Sequence, residues 1–447
     1  MTKRSRKGPE LRTLPVYALA GFLLGGLTFV GVSSGEPLRS ELSLLLQEHP
    51  DIRRARNEAA AGRARIEEAR AAYLPRLELS GDTGAERTDD PTRRQAGLGA
   101  FSIRRDKLSL TATQNLFNGY RDEAGLNAAE LGHVELQMGL ENTRQEFLFQ
   151  GLTQYLDVLR NVRLIAVAQN TEATIRTQLR LEDERVQRGS GIAVDVLQAK
   201  SRLQVAKEQR VAFEGRLQEA LARYKQLFGH LPEVSSLEEG LPPEGLVPSD
   251  LGGAIETAVQ YHPALRQTRY QADVAREQRR IANADYYPTV DLVGTLDYED
   301  NVGTTRGIER EQSLLLRARW EFFSGFRTRA RVESASRTLA ARKDSFNFAT
   351  RRVEEDVRVA WDRLLTERRR VDLLNNAVNL AIEVFNAKKR LREAGKETSL
   401  NVLDAEREVF SARINQISAE FDARIASYLL ARRTGTLTPA ALSLDIQ

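Results

Sequence analysis

The chain contains itself twice, in matched order and at nearly fixed spacing. His49-Pro50 and Tyr73-Leu74-Pro75 recur 213 residues later as His262-Pro263 and Tyr286-Tyr287-Pro288. Phe117-Asn118-Gly119 recurs as Phe323-Ser324-Gly325, Gly189 as Gly395, Val196-Leu197-Gln198-Ala199 as Val402-Leu403-Asp404-Ala405, and Gly229 as Gly435, each 206 residues on. The halves therefore differ by one seven-residue insertion between the Pro signal and the Phe-x-Gly signal. A duplication of this kind requires each half to supply equivalent elements to one assembly.

The amino-terminus carries Lys3, Arg4, Arg6, Lys7 and Arg12, then an apolar run from Leu14 to Val32 that closes in Ser33, Ser34 and Gly35. This pattern predicts a secretory signal peptide over 1–35; the other reading is an uncleaved anchor, since the run has about the length needed to span a bilayer. Without those residues the chain has 61 basic and 61 acidic side chains, so the basic excess belongs to the targeting segment and nucleic acid is not an expected partner. No cysteine is present, which excludes a disulfide framework, a thiolate metal site and a lipid-modified amino-terminal cysteine. With 29% charged and 6% aromatic residues, the composition suits long solvated helices.

Beyond the signal no apolar run approaches the roughly 20 residues of a membrane helix, so a membrane crossing would have to use strands. Four segments alternate with period two, at about 75–87, 104–117, 288–300 and 311–323. Leu108, Leu110, Ala112 and Leu116 oppose Ser109, Thr111, Thr113 and Asn115, while Leu314, Leu316, Ala318, Trp320 and Phe322 oppose Arg317, Arg319 and Glu321. Leu77 and Leu79 alternate with Glu78, Ser80 and Asp82, and Val290, Leu292, Leu296 and Tyr298 with Asp291, Thr295 and Asp297. Such a pattern fits a half-buried soluble hairpin or a lipid-facing barrel strand. Charge at Asp291, Asp297, Arg317 and Arg319 favours the second, because a watery lumen accommodates ionised groups that a packed core does not. The hairpin tips, Thr88-Asp89-Asp90-Pro91 and Asn301-Val302-Gly303-Thr304, are polar turn formers.

The rest reads as helix, over about 38–73, 119–187 and 192–228 in the first repeat (36–230) and 251–286, 325–393 and 398–433 in the second (251–435). The stretches 119–187 and 325–393 lack proline and would each run roughly 100 Å at about 1.5 Å per residue. Glycines at 189 and 395 close them. On the helices that follow, Val196, Ala199, Leu203, Ala206, Phe213, Leu217, Ala220, Tyr224 and Leu227, and again Val402, Ala405, Val409, Ala412, Ala419, Ala423, Ala426 and Leu430, keep a three-four coiled-coil spacing, broken equivalently by Arg210 and Gln416. A linker at 231–250 with Pro232, Pro242, Pro243 and Pro248 separates the repeats, and 436–447 forms a tail.

The predicted fold is mostly α with a membrane β-barrel part: a duplicated helix-strand-strand-helix unit, with a long coiled-coil helical tunnel. Four strands cannot close a barrel, since spanning barrels begin at about eight. Two copies would give a barrel filled by its own side chains; three would give twelve strands and room for a lumen, so a homotrimer is the preferred assembly.

The duplicated order, the Tyr-x-Pro to Phe-x-Gly hairpins and the turns at 189–197 and 395–403 resemble the TolC family of outer-membrane channel-tunnels over about residues 38 to 435. The resemblance implies a trimer with one shared barrel in outer-membrane lipid, a periplasmic tunnel, and partnership with an inner-membrane ABC exporter or proton-driven pump through a periplasmic adaptor. It also implies a periplasmic tip with acidic constriction rings. Asp404 matches one ring position, Asn401 replaces the acid at the other, Asp195 matches a residue used in closing contacts, and Glu397 stands where a basic partner for it can occur. The alternative for Asp195 and Asp404 is a solvated acid in a first helical turn. Gly189, Gly191 and Gly395 mark the tip turns expected to meet the adaptor.

Catalytic patterns are missing. His49, His133, His230 and His262 are dispersed, no phosphate loop, zinc spacing or nucleophile motif occurs, and Glu67-Glu68 and Glu354-Glu355-Asp356 sit among arginines on helices. The reading is a passive outer-membrane exit duct. Type I protein secretion is favoured by resemblance over small-molecule efflux; a periplasmic coiled-coil adaptor and a soluble coiled-coil scaffold are the other classes.

Overall fold

The computed structural model describes residues 37–444 apart from 240, 244 and 303–305. The expected signal segment 1–35, residues Gly303 and Thr304 of the second hairpin tip, and residues 445–447 of the tail lie outside the described residues. In order, the elements are α1 Pro37–Glu48, α2 Pro50–Arg70, β1 Arg76–Thr88, α3 Pro91–Gln95, β2 Phe101–Phe117, α4 Arg121–Gln187, α5 Ala193–Phe228, α6 Leu251–Tyr261, α7 Pro263–Asn283, β3 Thr289–Asp300, β4 Ile308–Arg319, α8 Arg327–Glu393 and α9 Ser399–Thr434.

Several boundaries differ from the sequence expectation. The segments 38–73 and 251–286 are not single helices: each breaks at its His-Pro, because the residue before a proline is pushed out of the helical region. His49 then caps α2 by accepting from the Asp51 amide at 3.2 Å through Nδ1, as a helix start requires. The last strand also stops at Arg319, so Trp320, Phe322 and Phe323 are exposed irregular chain rather than strand. The equivalent stretch of β2 continues to Phe117 because it has β3 to pair with, across a bulge between Asn115 and Phe117. Among the described residues β4 has no second neighbour. The first hairpin tip is not a plain turn either, since Asp90 accepts from the Arg93 amide at 2.9 Å and Pro91 opens the short α3.

The strands form one antiparallel sheet in the order β1-β2-β3-β4. Leu79 stands opposite Leu110 in the first hairpin, and Leu292 opposite Leu316 in the second. These are the same pair after shifts of 213 and 206, so the repeat holds to the residue in backbone pairing as well as in sequence.

Each second strand returns to a helix through two successive left-handed residues, Gly119-Tyr120 and Gly325-Phe326, with φ between 62° and 70°. A non-glycine residue in that region is uncommon. Here it is held by its ring, for Tyr120 packs edge-on against Phe117 at 5.5 Å and Phe326 against Phe323 at 5.6 Å. A Cβ at Gly119 would fall 2.7 Å from the Ala284 carbonyl oxygen, whereas at Gly325 it would meet nothing within 4 Å.

The helices pack as two coiled coils, α4 with α5 and α8 with α9. Every seam residue expected on α5 and α9 is buried except Leu217 and Ala423, which are half-buried. The breaks are satisfied polar layers, Arg210 donating to Glu172 at 2.8 Å and Gln416 to Asn375 at 2.7 Å. At the base, Leu148, Leu152 and Leu156 of α4 join Leu42, Leu46, Phe421 and Tyr428 in the largest apolar cluster. The linker packs there, with the Tyr155 hydroxyl accepting from the Glu238 amide at 2.8 Å and donating to its carbonyl at 3.1 Å. His262 lies buried beside Arg432 and Arg433, and burial followed by those two charges pushes its pKa down to about 4.

Gly119→Ala is therefore expected to lower stability by about 1–3 kcal/mol in thermal unfolding of the detergent-solubilised protein, through the clash with Ala284. For His262 the folded value lies below the ordinary 6.5, so between pH 6.5 and 4 the unfolded chain binds more protons and stability falls on acidification. His262→Asn should flatten that part of the midpoint-against-pH curve.

Candidate functional site

The pleat sorts the sheet into two faces. Leu77, Leu79, Leu108, Leu110, Leu296, Leu314 and Leu316 share one and are all exposed. On the other, Asn115, Asp291 and Arg317 lie in one row, the Asn115 amide donating to Asp291 at 2.8 Å. Arg319 stands one pleat below, opposite Thr289, and Asp297 lies further along the face between Ser109 and Glu311. All four charged residues expected to face a lumen thus share the polar face, although only Asp291 and Arg317 stand directly opposite each other. Lys107 bridges to Glu299 on the same face at 2.5 Å. A sheet with exposed leucines along one side and this charge on the other separates lipid from water. Tyr73, Tyr286, Tyr287, Trp320 and Phe322 are exposed where the sheet meets the helices, the position of an interfacial aromatic girdle.

At the opposite end of the long helices two turns form the tip. Gly189 and Gly395 adopt φ of 72° and 74°, and a Cβ at Gly191 would fall 2.7 Å from the Val186 amide nitrogen. Asp195 lies in the first turn of α5, and Asn401 and Asp404 lie in the first turns of α9.

Glu397 is an acid and supplies no base to Asp195. Its carboxylate accepts from the Asn401 amide at 2.6 Å and the Thr398 backbone at 2.8 Å, which together hold it below the usual carboxylate range. The cation comes instead from Arg392 at the end of α8. Its guanidinium grips Glu182 of α4 in a fork, at 2.7 Å and 3.2 Å, approaches Asp195 at 3.6 Å, and donates to the Glu397 carbonyl at 3.2 Å. Forked Arg–carboxylate pairs are the strongest ion pairs in proteins, and this one joins the first coiled coil to the second. The Glu182 side chain is only 2% exposed and also accepts from Arg185 at 3.2 Å, so loss of Arg392 would leave this buried charge with one guanidinium in place of two. Asp404 is also paired, accepting from Arg202 of α5 at 2.7 Å.

Sequence reasoning missed Glu182, Arg392 and Arg202. A signal for the first was present: Ile175, Leu179 and Glu182 follow seam spacing, and an acid where the seam requires an apolar residue points to a partner. Among the described residues no cluster of His, Cys, Asp or Glu could hold a metal ion.

The outer membrane efflux protein family model matches residues 42–230 and 254–436, that is, both repeats and not the linker between them. The chain is 24% identical to the outer membrane efflux protein BepC of Brucella suis biovar 1, covering 96% of this chain and 91% of that one. It is 24% identical to the alkaline protease secretion protein AprF of Pseudomonas aeruginosa, over 90% and 85%. A crystal structure of a membrane protein from Pseudomonas aeruginosa superposes with a TM-score of 0.78 at 21% identity, over 89% of this chain and 90% of that one. With both repeats matched, the chain belongs to the outer membrane efflux protein family, passive channels of the Gram-negative outer membrane with a large periplasmic helical part, and not enzymes.

Proposed function

We propose that this protein is the exit duct of a tripartite export assembly. As a homotrimer it accepts cargo from an inner-membrane ABC exporter through a periplasmic adaptor and releases it outside, and the cargo is a polypeptide in type I secretion. The observation that carries the duct reading is the two-faced sheet running directly into helices of about 100 Å, since a conduit needs a lipid-facing outside where it crosses the membrane and a wall that continues beyond it. Secretion is supported by the likeness to a relative named for protease secretion, and by the hairpin and tip-turn pattern. A second reading, small-molecule efflux driven by a proton-driven pump, is supported by the relative named an efflux protein. Neither reading uses a cofactor.

The tip is the entrance, where Asp404 lines the constriction and Gly189, Gly191 and Gly395 shape the turns that meet the adaptor. Arg202 compensates Asp404 in the same protomer, so the local charge is a balance of the two.

Deleting the gene should abolish an extracellular polypeptide while leaving resistance to toxic small molecules unchanged; the reverse phenotype would establish efflux. In planar bilayers Arg202→Ala should raise cation preference and Asp404→Asn should lower it, and unchanged reversal potentials would remove both from the pore. Arg392→Ala, which leaves the buried Glu182 carboxylate with Arg185 alone, should destabilise the tip by about 1–3 kcal/mol, read as faster proteolysis at the 189–191 and 395–397 turns.

A further inference from the structure

The two ends of the leucine face are not alike. Towards the helices it finishes among exposed aromatic rings, Tyr73, Tyr286, Tyr287, Trp320 and Phe322. Towards the hairpin tips the same face carries Tyr298 and the exposed arginines Arg87, Arg104 and Arg310. Side chains two residues apart on a strand share a face. Counting in twos from Leu79, Leu108 and Leu314 reaches Arg87, Arg104 and Arg310, so all of these leave the sheet on its leucine side.

Their height matches the edge of a bilayer. On β4 the ten residues from Trp320, just beyond the strand, to Arg310 amount to roughly 33 Å of strand, or about 25 Å of height at a tilt near 40°, the height of the apolar band on a spanning barrel. The first repeat sets the same limits 206 residues earlier, with Gln114 in place of Trp320 and Arg104 in place of Arg310. Both inner side chains donate to the carbonyl of an equivalent tyrosine, Gln114 to Tyr73 at 3.3 Å and Trp320 to Tyr286 at 3.1 Å. The hairpins are also staggered, β1 running out to Thr88 while β3 ends at Asp300, in the row of Thr83 and Asp106. In tilted strands a level line crosses the rows with that slope, which brings Arg87 into line with the other two arginines.

The charge at this level is not internally balanced. Asp106 takes the Arg104 guanidinium at 3.4 Å and the Thr83 hydroxyl, and Asp300 stands opposite it on the same face. Arg87 and Arg310 have no ion-pair partner among the described residues; the Arg310 guanidinium lies 5.9 Å from the centre of the Tyr298 ring. Acyl chains cannot cover a guanidinium, and a phosphate can, through two parallel hydrogen bonds.

We propose that Arg87, Arg104 and Arg310 form a phosphate-binding belt around the outside of the sheet, and that its occupant is the phosphorylated glycolipid of the outer leaflet, with its acyl chains on the leucines below. The inner end, with rings in place of free arginines, suits phospholipid. The proposal rests on the duct reading, which turns the hairpin tips to the exterior, and adds the lipid class that this rim selects. A sugar carrying phosphates at the chain boundary fits arginines set along one level, because several can engage one headgroup.

The test is native mass spectrometry of the full-length protein in detergent, with EDTA present so that no divalent cation bridges the groups. The probes are purified lipid A bearing both phosphates, the same lipid after dephosphorylation, and phosphatidylglycerol. Expected is that the wild type retains the phosphorylated form at least tenfold more tightly than either other lipid. Arg87→Gln, Arg104→Gln and Arg310→Gln should each weaken that binding roughly fivefold, and the triple variant should lose the preference. Arg337→Gln, which removes an equally exposed arginine from α8, should not change it. Equal retention of the two lipid A forms by the wild type, or a triple variant that keeps the preference, overturns the belt; phosphatidylglycerol held as tightly as phosphorylated lipid A overturns the glycolipid assignment. Conductance in planar bilayers separates the two levels: a protein that conducts without the lipid preference removes this proposal alone, and one that does not insert removes the duct reading itself.

Discussion

A β-sheet with a leucine face and two unpaired edges cannot persist in a bilayer by itself, because the hydrocarbon core contains no water to satisfy the peptide groups along β1 and β4. Everything else in the molecule is consistent with that one unmet requirement. The sheet carries only four strands, so closure has to come from further copies, and the helices below inherit the same rotational repeat. Duplication within the chain is the economical route to such a ring: the seam inside a protomer shows the geometry that the seam between protomers has to reproduce.

The tip departs from that equivalence. Along most of the tunnel wall the seam is held by small apolar residues with scattered ion pairs, and such packing tolerates sliding. The clasp on Glu182 is different in kind, since a carboxylate taken out of water depends on the guanidinium groups of Arg392 and Arg185 that hold it. It ties α4 to α8 near the tip turns, and Arg202 ties α5 to α9 nearby. Charge placement of this sort concentrates rigidity within a protomer and leaves compliance elsewhere.

Much of the architecture was legible from residue order. Proline and glycine punctuation placed the helix-to-strand and strand-to-helix changes, and alternation assigned Asp291, Asp297, Arg317 and Arg319 to one face, because a strand leaves its side chains only two sides to occupy. The three-four spacing on α5 and α9 marked the buried seam residues for a similar reason. Breaks at His49 and His262 were written in the X-Pro rule but masked by continuous helical composition on either side. The early end of β4 was not readable at all: a strand persists as far as it has a neighbour, and neighbours are a property of the assembled sheet.

The sequence by itself determined the repeat, the two-faced strands, the helix lengths and hence the need for several copies, since those follow from local periodicity and from shifts that any reader can count. Only the tertiary structure decided the partners of the charged residues. Glu182 and Arg392 are 210 positions apart, and the base that approaches Asp195 is at position 392 and not at 397, where an acid stands. Which position reaches it depends on the angle at which two long helices meet at their far ends. That angle sums small packing preferences over the whole length of the wall, and no single motif carries it.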